Sequence, residues 1–225
     1  MTEPETYTED VVRFETMDHF GRFITESSHH LSEYLPYFRH DEAEIDRLVD
    51  ASAYDPVTEE FEYSPVCWLP TGEYFEQWRE IDHADQFDES EMDRSLSRSG
   101  EYAARIIHSL ETGERRRLNL NIPNDDRLIT NLPDDALVEV PCLVDRTGVH
   151  PCTIGDLPPQ LAALNRSNVN VQSLAVEAAL ERDEKRLRQA VKLDPLTGAV
   201  CTLEEIDDLV DELLEVNAAY LPKYI

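Results

Sequence analysis

Between residues 115 and 155 the spacing of apolar residues changes from three-and-four to two, and after residue 158 it changes back. A helix repeats about every 3.6 residues and a strand every 2, so that switch dictates helices, then a few strands, then helices. Upstream, Val11, Val12, Phe14, Met17, Phe20 and Phe23 mark a helical stripe from Asp10 that ends near Gly21. A second helix is expected from the Ser27 or Ser28 cap to just before Pro36, since proline disfavours helical geometry in the residue preceding it. Residues 1–9 read as a loose tail, and residues 41–72, acidic and broken by Pro56, Pro65 and Pro70, read as irregular. Helices follow over 72–86 and over 99–112, the latter stopped by Gly113.

Leu118 and Leu120 alternate with Asn119 and Asn121, and residues 136–144 are rich in valine, so two or three strands are expected, with 145–148 as a hairpin turn. Pro158 and Pro159 open the next helix. Asn168 or Asn170 is the expected cap of a long helix carrying Val171, Leu174, Ala178, Leu187 and Val191. Thr202 with Glu205 three residues on is a capping box, and Ile206, Leu209, Val210, Leu213, Leu214 and Leu221 form the stripe behind it. The whole predicts an α+β fold, with helices around a small, mainly antiparallel sheet.

Charge narrows the partners. The 225 residues hold 48 Asp or Glu against 20 Lys or Arg, a formal net charge of −28. Nucleic acid and anionic membranes are both bound through clustered cations, so neither is an expected partner. No apolar run approaches the roughly 18 residues of a spanning helix, and no charged-then-apolar leader opens the chain, so a cytoplasmic location is expected. The acids are scattered through every segment, and the only lysines are Lys185, Lys192 and Lys223. Such a surface repels itself unless counter-ions screen it, the composition of a salt-adapted protein. Cys67, Cys142, Cys152 and Cys201 fall at unrelated spacings and are expected as buried thiols.

Two segments carry residues suited to chemistry. A helix through residues 25–38 would set His30, Glu33, Tyr34 and Tyr37 on one face, suited to proton transfer or a polar pocket. The ordinary alternative is a solvated face above two core tyrosines, and His30 with Glu33 alone are too few ligands for a metal. Asn119, Asn121, Asn124 and Asn131 form an asparagine-rich stretch that could meet sugar hydroxyls, or could equally be turn chemistry. Val138–Cys142 reads as a strand with one inward carboxylate or thiol. No GxGxxG or P-loop pattern occurs in the sequence.

In order along the chain, VRFE at 12–15, FG at 20–21, TESS at 25–28, HLSEYLPYF at 30–38, NLPDD at 131–135, VEVPC at 138–142, GDLPP at 155–159, AALN at 162–165, NVQ at 170–172, VEA at 176–178 and LDPL at 193–196 resemble the C-terminal half of the family-four glycoside hydrolases. The resemblance is weakest over residues 41–95, and the TESS and SEY blocks resemble the branch that acts on non-phosphorylated sugars.

The resemblance implies a domain like the second domain of lactate and malate dehydrogenases, one that closes over the sugar and mediates oligomer contacts. It implies an α-galactosidase-like or α-glucosidase-like hydrolysis through redox and elimination, in which NAD takes hydride from C3 of the sugar and a base removes the C2 proton. A divalent metal, usually manganese, then stabilises the developing charge. The family's NAD-binding fold and its metal-holding Cys and His belong to a first half that this chain does not show. Ligands for both are therefore expected outside it, on an N-terminal partner chain. The resemblance implies Tyr34 as the base, although an ungapped match sets His30 opposite the family's base tyrosine. His30 and Asn124 are the expected sugar-pocket residues. The competing expectation is an inactive remnant that folds and self-associates without catalysis.

Overall fold

The structure, a computed structural model, describes residue 8, residues 10–52 and residues 102–225. The helix expected over 72–86 and Cys67 lie outside the described residues. The chain divides into two compact units, Met1–Pro70 with Pro158–Ile225, and Thr71–Leu157.

In the first unit, α1 spans Val11–Phe20 and ends on Gly21, whose φ of 82° is the left-handed geometry that favours glycine. Helix α2, Ser28–Tyr34, starts where the Ser27 hydroxyl accepts the His30 amide hydrogen bond, and Pro36 follows its end. The Arg13 guanidinium ties α1 to the segment that leads into α2: it donates to the Ile24 carbonyl at 2.9 Å and to Asp10 at 3.2 Å, and stacks 4.1 Å from the Phe23 ring centroid. Helix α3, Glu42–Ala51, corrects the expectation that this stretch is irregular. Asp41 caps it and Glu42, Asp46 and Asp50 face solvent, while Leu48 is fully buried with Ile45 and Val49 packed beside the same core. The prolines that suggested an irregular stretch all come later in the sequence, from Pro56 on. Val11, Val12, Leu31, Leu35, Phe38 and Leu48 form that core, with Leu164 packed against it.

After α4, Ala103–Thr112 of the other unit, comes helix α5, Pro159–Glu181, with proline at its first position. Asn168 and Asn170 lie within it, so they are not its caps. The break comes instead at Arg182, which takes a left-handed φ of 57°, and at Asp183, whose carboxylate caps α6, Glu184–Leu193. A short α7, Pro195–Val200, is capped by Asp194, and α8, Leu203–Val216, by the full Thr202/Glu205 box. Leu221 falls beyond α8. Arg188 of α6 reaches Glu184, Asp207 and Asp211, and Lys192 pairs with Asp207 at 2.7 Å, fastening α6 to α8. Among the described residues no helix is long and apolar enough to cross a membrane.

The second unit is a three-stranded antiparallel sheet in the order β1 (Arg116–Pro123), β2 (Leu137–Asp145), β3 (Gly148–Pro151), packed against α4, Ala103–Thr112. Asp145 pairs with Gly148 across the tight turn. On β2 burial alternates, with Val138, Val140, Cys142 and Val144 inside and Glu139 exposed, so the inward group is the thiol rather than the carboxylate. Arg146 donates to the carbonyls of Glu111 and Thr112 and so closes the C-terminal end of α4. The general expectation of buried thiols holds for Cys142 but not for Cys152, which is exposed, or Cys201, which is half-buried.

Candidate functional site

The polar face of α2 is built from its N-terminus. Ser27 fixes the first turn, and Glu26 just before it accepts hydrogen bonds from the Ser27 amide at 2.8 Å and from the His30 ring Nδ1 at 3.2 Å. Burial pulls the Glu26 carboxyl upward, but these two hydrogen bonds outweigh it and hold it below its ordinary value. One turn on, His29 Nε2 lies 3.6 Å from Glu33 Oε1, which Arg39 also approaches at 3.4 Å. Arg39 is held in turn by the Ser32 hydroxyl, itself bonded to the His29 carbonyl.

Tyr34 closes the helix with its ring centroid 6.4 Å from that of His30 and with its side chain substantially exposed, while its backbone carbonyl accepts from Asn168. Partial burial raises its phenol above the ordinary value, and the charges of Glu26 and Glu33 raise it further. The face thus brings together His30, Glu33 and Tyr34, three of the four residues expected on it, and adds His29 and Glu26. Tyr37 is not on the helix, because the chain turns extended at Leu35. It packs instead 5.9 Å from Phe20, on a cavity of about 490 Å³ lined also by Glu15, His19, Glu44 and Arg47. Arg47 bridges Glu15 at 2.8 Å and Glu44 at 2.6 Å across that cavity.

Asn124 corrects the sugar-pocket expectation. It belongs to the second unit and is fully buried, with its amide nitrogen donating to the carbonyls of Ile129, Leu132 and Pro133 and its oxygen accepting from the Ile129 amide. At full burial the side chain is out of reach of a sugar hydroxyl. Asn131 likewise exchanges two hydrogen bonds with the Leu157 backbone. Asn124 and Asn131 hold turns, whereas Asn119 and Asn121 lie exposed on β1. The i,i+4 spacing of His29 and Glu33 was the signal that could have added His29 to the site. Glu44 and Arg47 carry the i,i+3 signal of a helical pair, whereas Glu15 meets them only through packing and left none.

The family 4 glycosyl hydrolase C-terminal domain matches residues 1–197. The α-galactosidase of Bacillus subtilis is 38% identical over 229 residues, covering 98% of this chain and 48% of its own length. The chain thus spans about half the length of that relative. Among solved structures, the glucosidase-like lplD protein of Bacillus subtilis shares the fold at a TM-score of 0.67 and 22% identity, over 90% of this chain and 42% of its own. A 6-phospho-beta glucosidase of Thermotoga maritima, solved with manganese, NAD+ and glucose-6-phosphate, aligns over 54% of this chain and 29% of its own, with 32% identity and a TM-score of 0.47. With the domain match running from the first residue past α6 and an α-galactosidase alike across almost all of it, this chain belongs to the family 4 glycosyl hydrolases.

Proposed function

We propose that the chain is the sugar-closing C-terminal part of an α-galactosidase-like enzyme that uses NAD and a divalent metal. The observation that carries the reading is the 38% identity to an α-galactosidase over 98% of this chain. No Gly-rich dinucleotide turn occurs in the sequence, so its residues do not fit NAD. The manganese ligands that the resemblance implies belong to the first half. No step is therefore routed here through either group.

The α2 face supplies the rest. His30 is exposed and hydrogen-bonded to Glu26, which orients its ring toward a sugar hydroxyl. Tyr34 takes the C2 proton, a role that requires a counter-charge beside it, because Glu26 and Glu33 favour the protonated phenol. The isolated chain should hydrolyse no nitrophenyl α-galactoside, and a separately produced N-terminal half should restore turnover when NAD and manganese are supplied. In that complex Tyr34→Phe should slow exchange of the C2 proton while leaving sugar binding intact; undiminished exchange would move the base to His30 or to the other half. A complex that forms yet never turns over would favour the inactive remnant. The proposal also sets the protein in a salt-rich cytoplasm, supported by the net charge of −28, and expects a melting temperature that rises between dilute and molar KCl. It includes self-association, favoured by the exposed Leu203, Leu213 and Val216 of α8, and a monomer in sedimentation at working concentration would remove it.

A further inference from the structure

Two imidazoles and a carboxylate meet on α2. One ligand atom each of His29, His30 and Glu33 lies within 4.8 Å of the other two, and the two histidine rings stand nearly perpendicular with centroids 5.1 Å apart. Metal bonds to such atoms are about 2.0–2.2 Å, which in a tetrahedral shell places neighbouring ligand atoms about 3.3–3.6 Å apart. Closing the set from 4.8 Å therefore takes side-chain shifts of a little over an ångström. Glu33 can supply them, since its side chain is only partly buried and its contacts to His29 and Arg39 are both longer than 3 Å.

We propose that His29, His30 and Glu33 bind a divalent transition cation of the zinc class. The donor set selects the ion. Two imidazole nitrogens suit zinc, nickel or cobalt, whereas magnesium and calcium require oxygen ligands and manganese sits lowest in the affinity order of the first-row divalent metals. The outer shell is already in place: Glu26 accepts the His30 Nδ1 hydrogen, which leaves the lone pair on Nε2 for the metal. Two carboxylates, Glu26 and Glu33, face the seat against one cation, Arg39, so a bound dication lowers the local charge imbalance. His30 is exposed, so the remaining coordination positions open to solvent and can hold water or an anionic ligand.

The site shares His30 with the proposed sugar face, but its test needs neither sugar nor NAD, so the two readings can fail separately. The whole chain, with its cysteines alkylated, is titrated with zinc chloride in a calorimeter. The expected result is one site whose affinity falls by tenfold or more, at least the roughly 10–100-fold lost with an outer-shell partner, in His29→Ala, His30→Ala and Glu33→Gln. Glu26→Gln should weaken it less, and His108→Ala should leave it unchanged. His30 is exposed, so His30→Ala tests the site even if the half-buried His29 position proves necessary for folding, which far-UV circular dichroism reports. Failure of the chain to bind zinc stoichiometrically, or binding undiminished in His30→Ala and Glu33→Gln, overturns the proposal, as does manganese binding more tightly than zinc.

Discussion

Replacing Asn124 by alanine should destabilise the second unit severely while touching no sugar contact. The side chain is fully buried and makes four hydrogen bonds: its amide nitrogen reaches the carbonyls of Ile129 at 3.0 Å, Leu132 at 3.3 Å and Pro133 at 2.9 Å, and its oxygen takes the Ile129 amide at 2.9 Å. Two N–H bonds are shared among three carbonyls, so not all four count fully. At a net value of about 1 kcal/mol per bond, with a further 1–3 kcal/mol for the Ile129 amide left buried and unpaired, the loss comes to about 3–5 kcal/mol. For a chain of this size that lowers the melting temperature by roughly ten degrees. Urea unfolding of wild type and Asn124→Ala measures it directly, and amide exchange at Ile129 should accelerate ahead of the rest of the sheet. A loss below about 1 kcal/mol, coupled to weaker sugar binding in the complete enzyme, would refute the assignment of Asn124 to the loop and return it to the pocket.

Thr202→Ala removes the hydroxyl that accepts the Glu205 amide and should lower stability by about 0.5–2 kcal/mol, measured by denaturant unfolding, whereas Thr202→Ser should not. Thr16 is fully buried with its hydroxyl unpaired, so Thr16→Val should raise stability by about 1 kcal/mol, and a loss would show that the hydroxyl has a partner in solution. The Asp207 carboxyl is held below its ordinary value by its hydrogen bond from Lys192. Its pairing therefore stabilises the fold above the usual aspartate pKa of about 3.9 and is lost as pH falls through the depressed folded value. Lys192→Met should accordingly melt below wild type at pH 7 by a margin that closes toward pH 3.

Where neighbouring residues decide structure, the sequence was readable. The capping box at Thr202, the left-handed glycines at Gly21 and Gly113 and the alternation along β2 are local, and each stands where its pattern placed it. Helix α3 was missed because its acidic surface hid a stripe of only Ile45, Leu48 and Val49, which becomes decisive once Val11 and Leu31 pack over it. The break at Arg182 was missed for a related reason: a left-handed arginine carries no mark in composition. Of the candidate site, the polar face of α2 followed from helical spacing. The fate of Asn124 did not, since an asparagine that meets a sugar and one that staples a loop are the same letter, and only its burial separates them.

The alternation along β2 also bears on how the gene for such a domain can change. Every second side chain between Leu137 and Asp145 points into the unit, so a single inserted or deleted codon there would trade Val138, Val140, Cys142 and Val144 for neighbours that include Glu139 and Pro141. Point substitutions in this strand can drift one at a time, but its length is locked from both sides, by the register with β1 and by the tight turn at Asp145–Gly148. Variation in length among homologous domains should therefore gather in the segment between Pro123 and Ala136, and even there it must spare the four backbone groups that converge on Asn124.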